Sequence, residues 1–120
     1  MKFFILWIMI LTPLIGQCKE LNGPLKTGWK GKKVCEKLSE NEHENILRCT
    51  FAPGIGHEIH QHNANFGYAI SGGKVQIKDE KGTRIVELAS NSYFESSGTK
   101  WHEILNLGDT TIVYLIVESK

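Results

Sequence analysis

The chain has almost no net charge: 14 Lys and Arg stand against 13 Asp and Glu, a formal balance of +1. A polyanion-tracking surface needs a basic excess, so nucleic acid is not an expected partner. The one basic cluster, Lys26 to Lys33 around Trp29, is interleaved with glycine and reads as a solvated segment. Helical periodicity is missing beyond a turn or two, which sets helical folds aside. GxSxG, P-loop, GxGxxG and CxxC patterns are also missing, since Gly54-Ile55-Gly56 runs into His57 rather than into a helix start. Their absence removes the nucleophile-elbow hydrolase, the phosphate cradle and the thiolate redox or zinc motif. No apolar run reaches the roughly 20 residues of a membrane span.

What the N-terminus does carry is a short apolar run, Phe3 to Leu11, behind Met1-Lys2 and followed by Pro13 and Gly16. A basic start, an apolar stretch and a small-residue exit predict a secretory signal peptide over 1–18, with cleavage after Gly16 or Cys18. Export to the periplasm or the exterior is therefore expected, with an uncleaved anchor as the competing reading. Ile15-Gly16-Gln17-Cys18 also resembles the lipobox of bacterial lipoproteins, with Gln17 as the departure. Membrane attachment would follow only from lipidation of Cys18 or retention of the signal segment.

Residues 19–33, rich in Gly and Lys, read as a flexible lead-in, and 34–120 as one domain. From Val34 on, short alternating stretches with turns predict strands. In Glu44–Phe51, Leu47, Cys49 and Phe51 share one face; in Lys74–Lys78, Val75 and Ile77 face inward. The turn Asp79-Glu80-Lys81-Gly82 predicts a hairpin into Thr83–Leu88, and Gly108-Asp109 predicts another between Trp101–Leu107 and Thr110–Glu118. The last strand is apolar on both faces and should be central. Many short strands with regular turns mean an all-β sandwich or barrel. Cys35 and Cys49 fall on neighbouring early strands, as a disulfide of an exported domain or as two small buried hydrophobes.

Three of the five histidines then stand out. His60 and His62 are two apart, so a strand projects both rings from one face. His102 opens a distant strand and could close a site from the opposite side. Converging neutral imidazoles bind transition metals; scattered surface histidines are the plainer alternative. His57 and Glu58 are possible additional ligands. His57 lies on the wrong parity unless its strand is irregular, and Glu58 is more simply a solvent-facing rim residue. His43 reads as exposed.

Over about Val34 to the C-terminus the chain resembles the cupins. Their first motif is Gly, five residues, His-x-His, three or four residues, Glu, six residues, Gly. Here Gly54, His60, His62, Phe66 and Gly73 stand at matching spacing, with Phe66 in place of Glu. In the second motif Gly98, His102 and Asn106 fit, with one extra residue between Gly98 and His102 and with Ser96 where Pro is expected. The resemblance implies an all-β, cupin-type jelly-roll β-barrel (a double-stranded β-helix). It also implies metal ligands at His60, His62 and His102, and no carboxylate ligand, because Phe66 cannot coordinate. Phe66, Tyr68 and Trp101 are candidate pocket-lining residues, and Asn106 is expected to fix backbone.

Two functions follow as expectations. In the first, the barrel binds a divalent transition metal (Fe, Zn, Ni, Cu or Mn) as a small-molecule-binding module. In the second, it is a metal-dependent oxygenase or isomerase acting on a small polar or anionic substrate, with catalytic residues unassigned. Cupins pair edge strands into dimers, so a homodimer is expected.

Overall fold

Alternating apolar positions become the inner faces of two sheets. The computed structural model describes Ile10 and residues 20–120; the signal segment 1–18, with Cys18, lies outside the described residues apart from Ile10. Eleven strands form among the described residues, and no helix. They are β1 (Gly28–Trp29), β2 (Lys32–Lys33), β3 (Cys35–Glu40), β4 (Glu44–Phe51), β5 (Gly56–His62), β6 (Asn65–Ser71), β7 (Gly73–Asp79), β8 (Gly82–Leu88), β9 (Tyr93–Ser96), β10 (Thr99–Asn106) and β11 (Ile112–Ser119).

A five-stranded sheet in the order β3-β4-β11-β6-β9 faces a four-stranded sheet in the order β5-β10-β7-β8, and every pairing is antiparallel. Successive strands from β4 onward mostly change sheet, which is the jelly-roll arrangement the sequence resemblance implies. The expected inner positions of β4 are buried: Leu47, Cys49 and Phe51 join Val75, Ile112 and Ile116 in the core. β11 is central, between β4 and β6. The predicted β7–β8 hairpin is present, with Asp79 opposite Gly82.

The predicted hairpin at Gly108-Asp109 is not. β10 and β11 belong to opposite sheets, so this turn carries the chain across the barrel. Asn106 makes the crossing: its Nδ2 donates to the carbonyls of Phe51 and Thr110, and its Oδ1 accepts from the Gly108 N–H. A buried amide thus satisfies three backbone groups that no ladder reaches. Turn residues announce a reversal but not the sheet that receives the next strand.

Cys35 and Cys49 face each other across the β3–β4 ladder and are disulfide-bonded. Within the stretch read as a flexible lead-in, β1 and β2 form a small ribbon, and the chain before it lies along β5. Gln61 N–H donates to the Asn22 carbonyl, and the Trp29 ring lies where a Cβ on Gly56 would meet it at 2.8 Å. Glycine at 56 is what lets that indole approach.

Candidate metal centre

Strand β5 holds His57, His60 and His62, all buried, with Glu58 and Ile59 exposed between them. Plain alternation would put His57 on the opposite face from His60. The register explains the exception: His60 pairs with His102 and His57 with Ile104, three residues of β5 against two of β10. That bulge turns His57 inward and leaves two consecutive side chains outside. A second shift lies on β10, where Thr99 pairs with His62 and His102 with His60. It leaves Lys100 and Trp101 in the surplus and brings Thr99 and His102 to the same cavity.

The ligand atoms of His60, His62 and His102 lie within 4.8 Å of one another. Nε2 of His60 is 2.9 Å from Nε2 of His62 and 2.9 Å from Nε2 of His102. His102 sits beside His60 on the neighbouring strand of one sheet, not across the barrel as the sequence suggested.

The outer nitrogens orient the rings. His60 Nδ1 is 2.6 Å from the Glu58 carbonyl, which can only accept, so Nδ1 carries the proton and Nε2 is bare. His62 Nδ1 is 3.3 Å from Oε2 of Glu118 and donates to it, which turns its Nε2 toward that of His60. Nε2 atoms 2.9 Å apart call for a cation between them, a metal ion or a shared proton. Glu118 adds to this demand: it is 6% exposed, receives the Asn63 N–H, and brings negative charge against the cluster. A buried carboxylate is tolerable when positive charge is close. Donor set, ring orientation and the buried carboxylate all fit a metal ion.

Burial also keeps the imidazoles neutral. Desolvation lowers His60 from 6.5 to about 2 and His102 from 6.5 to about 3, with the neighbouring rings adding to the effect. His57 falls from 6.5 to about 4, again chiefly by desolvation. The His60 and His102 rings are therefore neutral at neutral pH, as coordination requires.

His57 is inside but not convergent. Its ring stacks on His60 at 3.6 Å between centroids, while its Nε2–H donates to the Thr27 carbonyl at 2.8 Å. It braces the His60 ring rather than supplying a further ligand. Glu58 is exposed and accepts the Lys30 N–H, so it does not replace the absent carboxylate.

The three expected lining residues all lie elsewhere. Along β6 the positions of Asn65, Gly67 and Ala69 face inward, so Phe66 and Tyr68 take the outer face. Phe66 stacks on Tyr93, and Tyr68 bonds to Asn91. Trp101 is displaced by the β10 bulge. The cavity, about 310 Å³, is lined instead by Val75, Ile77, Leu88, Phe94, Ile104 and Tyr114, with Asn65, Asp79, Arg84 and Thr99 as polar members beside the histidines. The inward position five residues beyond His62 is Gly67, where the Phe94 ring would lie 2.2 Å from any Cβ. Neither Phe66 nor Gly67 offers a ligand.

Glu118 is the residue the sequence reading missed. It follows the run Ile112–Val117, which read as uniformly apolar. Counting by twos from Ile112 would have placed it inside, after Tyr114 and Ile116.

No family model matches the sequence, and no curated protein does. Solved structures do match. A cupin domain from Bordetella pertussis Tohama I is 19% identical over 72% of this chain and 92% of that chain, with a TM-score of 0.66. A cupin superfamily protein from Desulfitobacterium hafniense DCB-2 is 15% identical over 71% of this chain and 74% of that one, at 0.56. A predicted oxalate decarboxylase from Thermotoga maritima is 19% identical over 69% of this chain and 76% of that one, at 0.54. With the facing antiparallel sheets, these likenesses establish the fold: it is the cupin jelly roll.

Proposed function

We propose that the protein is an exported cupin-fold module that holds a divalent transition metal on His60, His62 and His102 and binds a small molecule in the cavity beside it. The observation that carries this reading is the convergence of the three ligand nitrogens, with Nε2 of His60 2.9 Å from those of His62 and His102 and with Nδ1 of His60 and His62 held by fixed acceptors. The bound ion would supply Lewis acidity and open positions for a ligand. Three imidazoles bring no negative charge to it and the single carboxylate behind His62 offsets only part of a divalent charge, which favours an anionic partner. The donor set suits Fe, Zn, Ni, Cu or Mn without choosing among them.

Binding is favoured over turnover because the cavity's one carboxylate is a poor base. Asp79 receives the Lys81 N–H and the Arg84 guanidinium, and both hold it below its usual range. The enzymatic alternative draws on Asp79 facing the cavity and on the neighbour described as a predicted oxalate decarboxylase. Export is supported by the signal pattern in 1–18 and by a disulfide, which persists in oxidising compartments. A homodimer is the expected assembly, and the exposed Ile85 on edge strand β8 and Tyr93 on edge strand β9 offer it apolar surface. A monomeric sedimentation profile across micromolar concentrations would remove the dimer.

Elemental analysis of untagged mature protein, beside a His60→Ala/His102→Ala variant, tests the metal site. The expected result is near-stoichiometric metal in the first and none in the second. Failure of the wild type to take up iron, zinc, copper, nickel or manganese would overturn the reading.

A further inference from the structure

Two contacts orient the His60 ring, and both lead to the chain that precedes the barrel. The ring stacks on His57 at 3.6 Å between centroids, and the His57 Nε2–H donates to the Thr27 carbonyl at 2.8 Å. Its Nδ1 donates to the Glu58 carbonyl, and the Glu58 carboxylate receives the Lys30 N–H at 2.9 Å. A further bond joins the Gln61 N–H to the Asn22 carbonyl at 3.0 Å, and Trp29 lies against Gly56. Residues 22–30 thus run beside the part of β5 that carries His57 and His60. Pro24 is buried there, and Leu25 packs against the core. The Thr27 N–H returns to the Gly23 carbonyl, which holds the turn that presents the Thr27 carbonyl to His57.

β5 is the edge of its sheet, and an edge strand gains from being covered. Cover takes backbone pairing alone, which the Gln61–Asn22 bond supplies. It does not require a side chain inside the barrel to reach through to the covering segment. His57 does reach: it is 2% exposed, with a ring face on His60 and its Nε2 on the lead-in. The β5 bulge allows both contacts, since it turns His57 inward and leaves Glu58 outside to meet Lys30. Without residues 22–30 the His57 N–H is a buried donor with no acceptor, and the ring must turn to find one. The surface on which His60 lies turns with it.

We infer that residues 22–30 are part of the metal centre, and that His57 is the positioning residue through which their docking sets the His60 ring. Metal binding and docking of the lead-in then strengthen each other by the same factor, because coupling between two sites is reciprocal. This inference rests on the metal-site reading and adds to it a segment outside the two facing sheets.

A double-variant cycle on mature protein tests it, with zinc affinity read by competition against a chelating dye. Leu25→Ala/Trp29→Ala loosens the lead-in without altering β5. His57→Phe keeps a stacked ring and removes the bond to Thr27. Each should weaken zinc about tenfold, and the combination should be no weaker than either, since both cut one link. If the Leu25→Ala/Trp29→Ala chain fails to fold, Trp29→Ala alone takes its place. Leu47→Ala destabilises the core away from the lead-in and should leave zinc affinity unchanged, which separates coupling from general loss of stability. Hydrogen exchange gives the reciprocal readout: relative to amides of β4, zinc should slow exchange at Thr27 and Gln61 in the wild type and not in His57→Phe. Wild-type zinc affinity in either the lead-in variant or His57→Phe would overturn the assignment, as would effects that multiply in the combination. If the wild type takes up no zinc, the metal reading falls. Exchange at Gln61 in metal-free wild type and His57→Phe then decides whether His57 holds the lead-in, and equal rates would show that it does not.

Discussion

Eight consecutive residue pairs join β11 to β4 without a break, whereas β5 and β10 meet through four pairs and two register shifts. The first ladder carries Leu47, Cys49, Phe51, Ile112 and Ile116 into the core. The second carries His57, His60, His62, Thr99 and His102 into the cavity. A regular ladder can only offer every second residue to the interior. Each bulge on the other ladder changes which parity faces inward and leaves two consecutive residues outside, Glu58 and Ile59 on β5 and Lys100 and Trp101 on β10. Glu118 is the link between the two regions: it belongs to the unbroken ladder but reaches His62 on the broken one.

If this division of labour holds, acid should act on the bulged side first and most strongly. In metal-free protein His57, His60 and His102 are held well below 6.5, so the unfolded chain binds more protons once the pH falls beneath that value. Stability is then fully present above about 6.5 and lost progressively as pH drops toward 4 and below. Urea unfolding at pH 7 and pH 5 measures it; equal midpoints would show that the rings are solvated. Next, Leu47→Ala in the regular ladder should cost about 3 kcal/mol in denaturant unfolding while zinc stoichiometry of the folded protein stays intact. Removing the disulfide with Cys35→Ser/Cys49→Ser, residues 14 apart in sequence, should cost a similar or slightly smaller amount, about 3 kcal/mol at most, again without loss of metal. Glu118→Gln is the mildest change and the most telling. It keeps the shape, removes the charge behind His62, and should weaken zinc about tenfold with little effect on the fold. Unaltered zinc affinity there would break the link between the two ladders.

The regular ladder was the legible one. Alternation in Glu44–Phe51 and Lys74–Lys78 gave faces that the structure keeps, and the spacing of His60, His62 and His102 pointed at the cluster. The bulges were not legible, because an inserted residue changes parity without a compositional mark. That is why His57 turned up inside, and why Trp101 turned up outside. The Phe66 expectation failed for a related reason: motif spacing aligned a position one residue away from the inward parity of β6, where Gly67 sits under Phe94. The Gly108-Asp109 turn was visible as a reversal, but the destination of the next strand depends on pairing far away in sequence. Glu118 was hidden by the apolar run in front of it.

His102 meets His60 from 42 residues downstream. Between them the chain must cross to the other sheet for β6, return for the β7–β8 hairpin and cross again for β9. Pairings this distant form late, after loop closure has been overcome. A chain ending before His102 presents only two of the three candidate ligands. If the proposed site holds a metal, the ion is thus chosen late, among those that surround the chain when β10 pairs with β5.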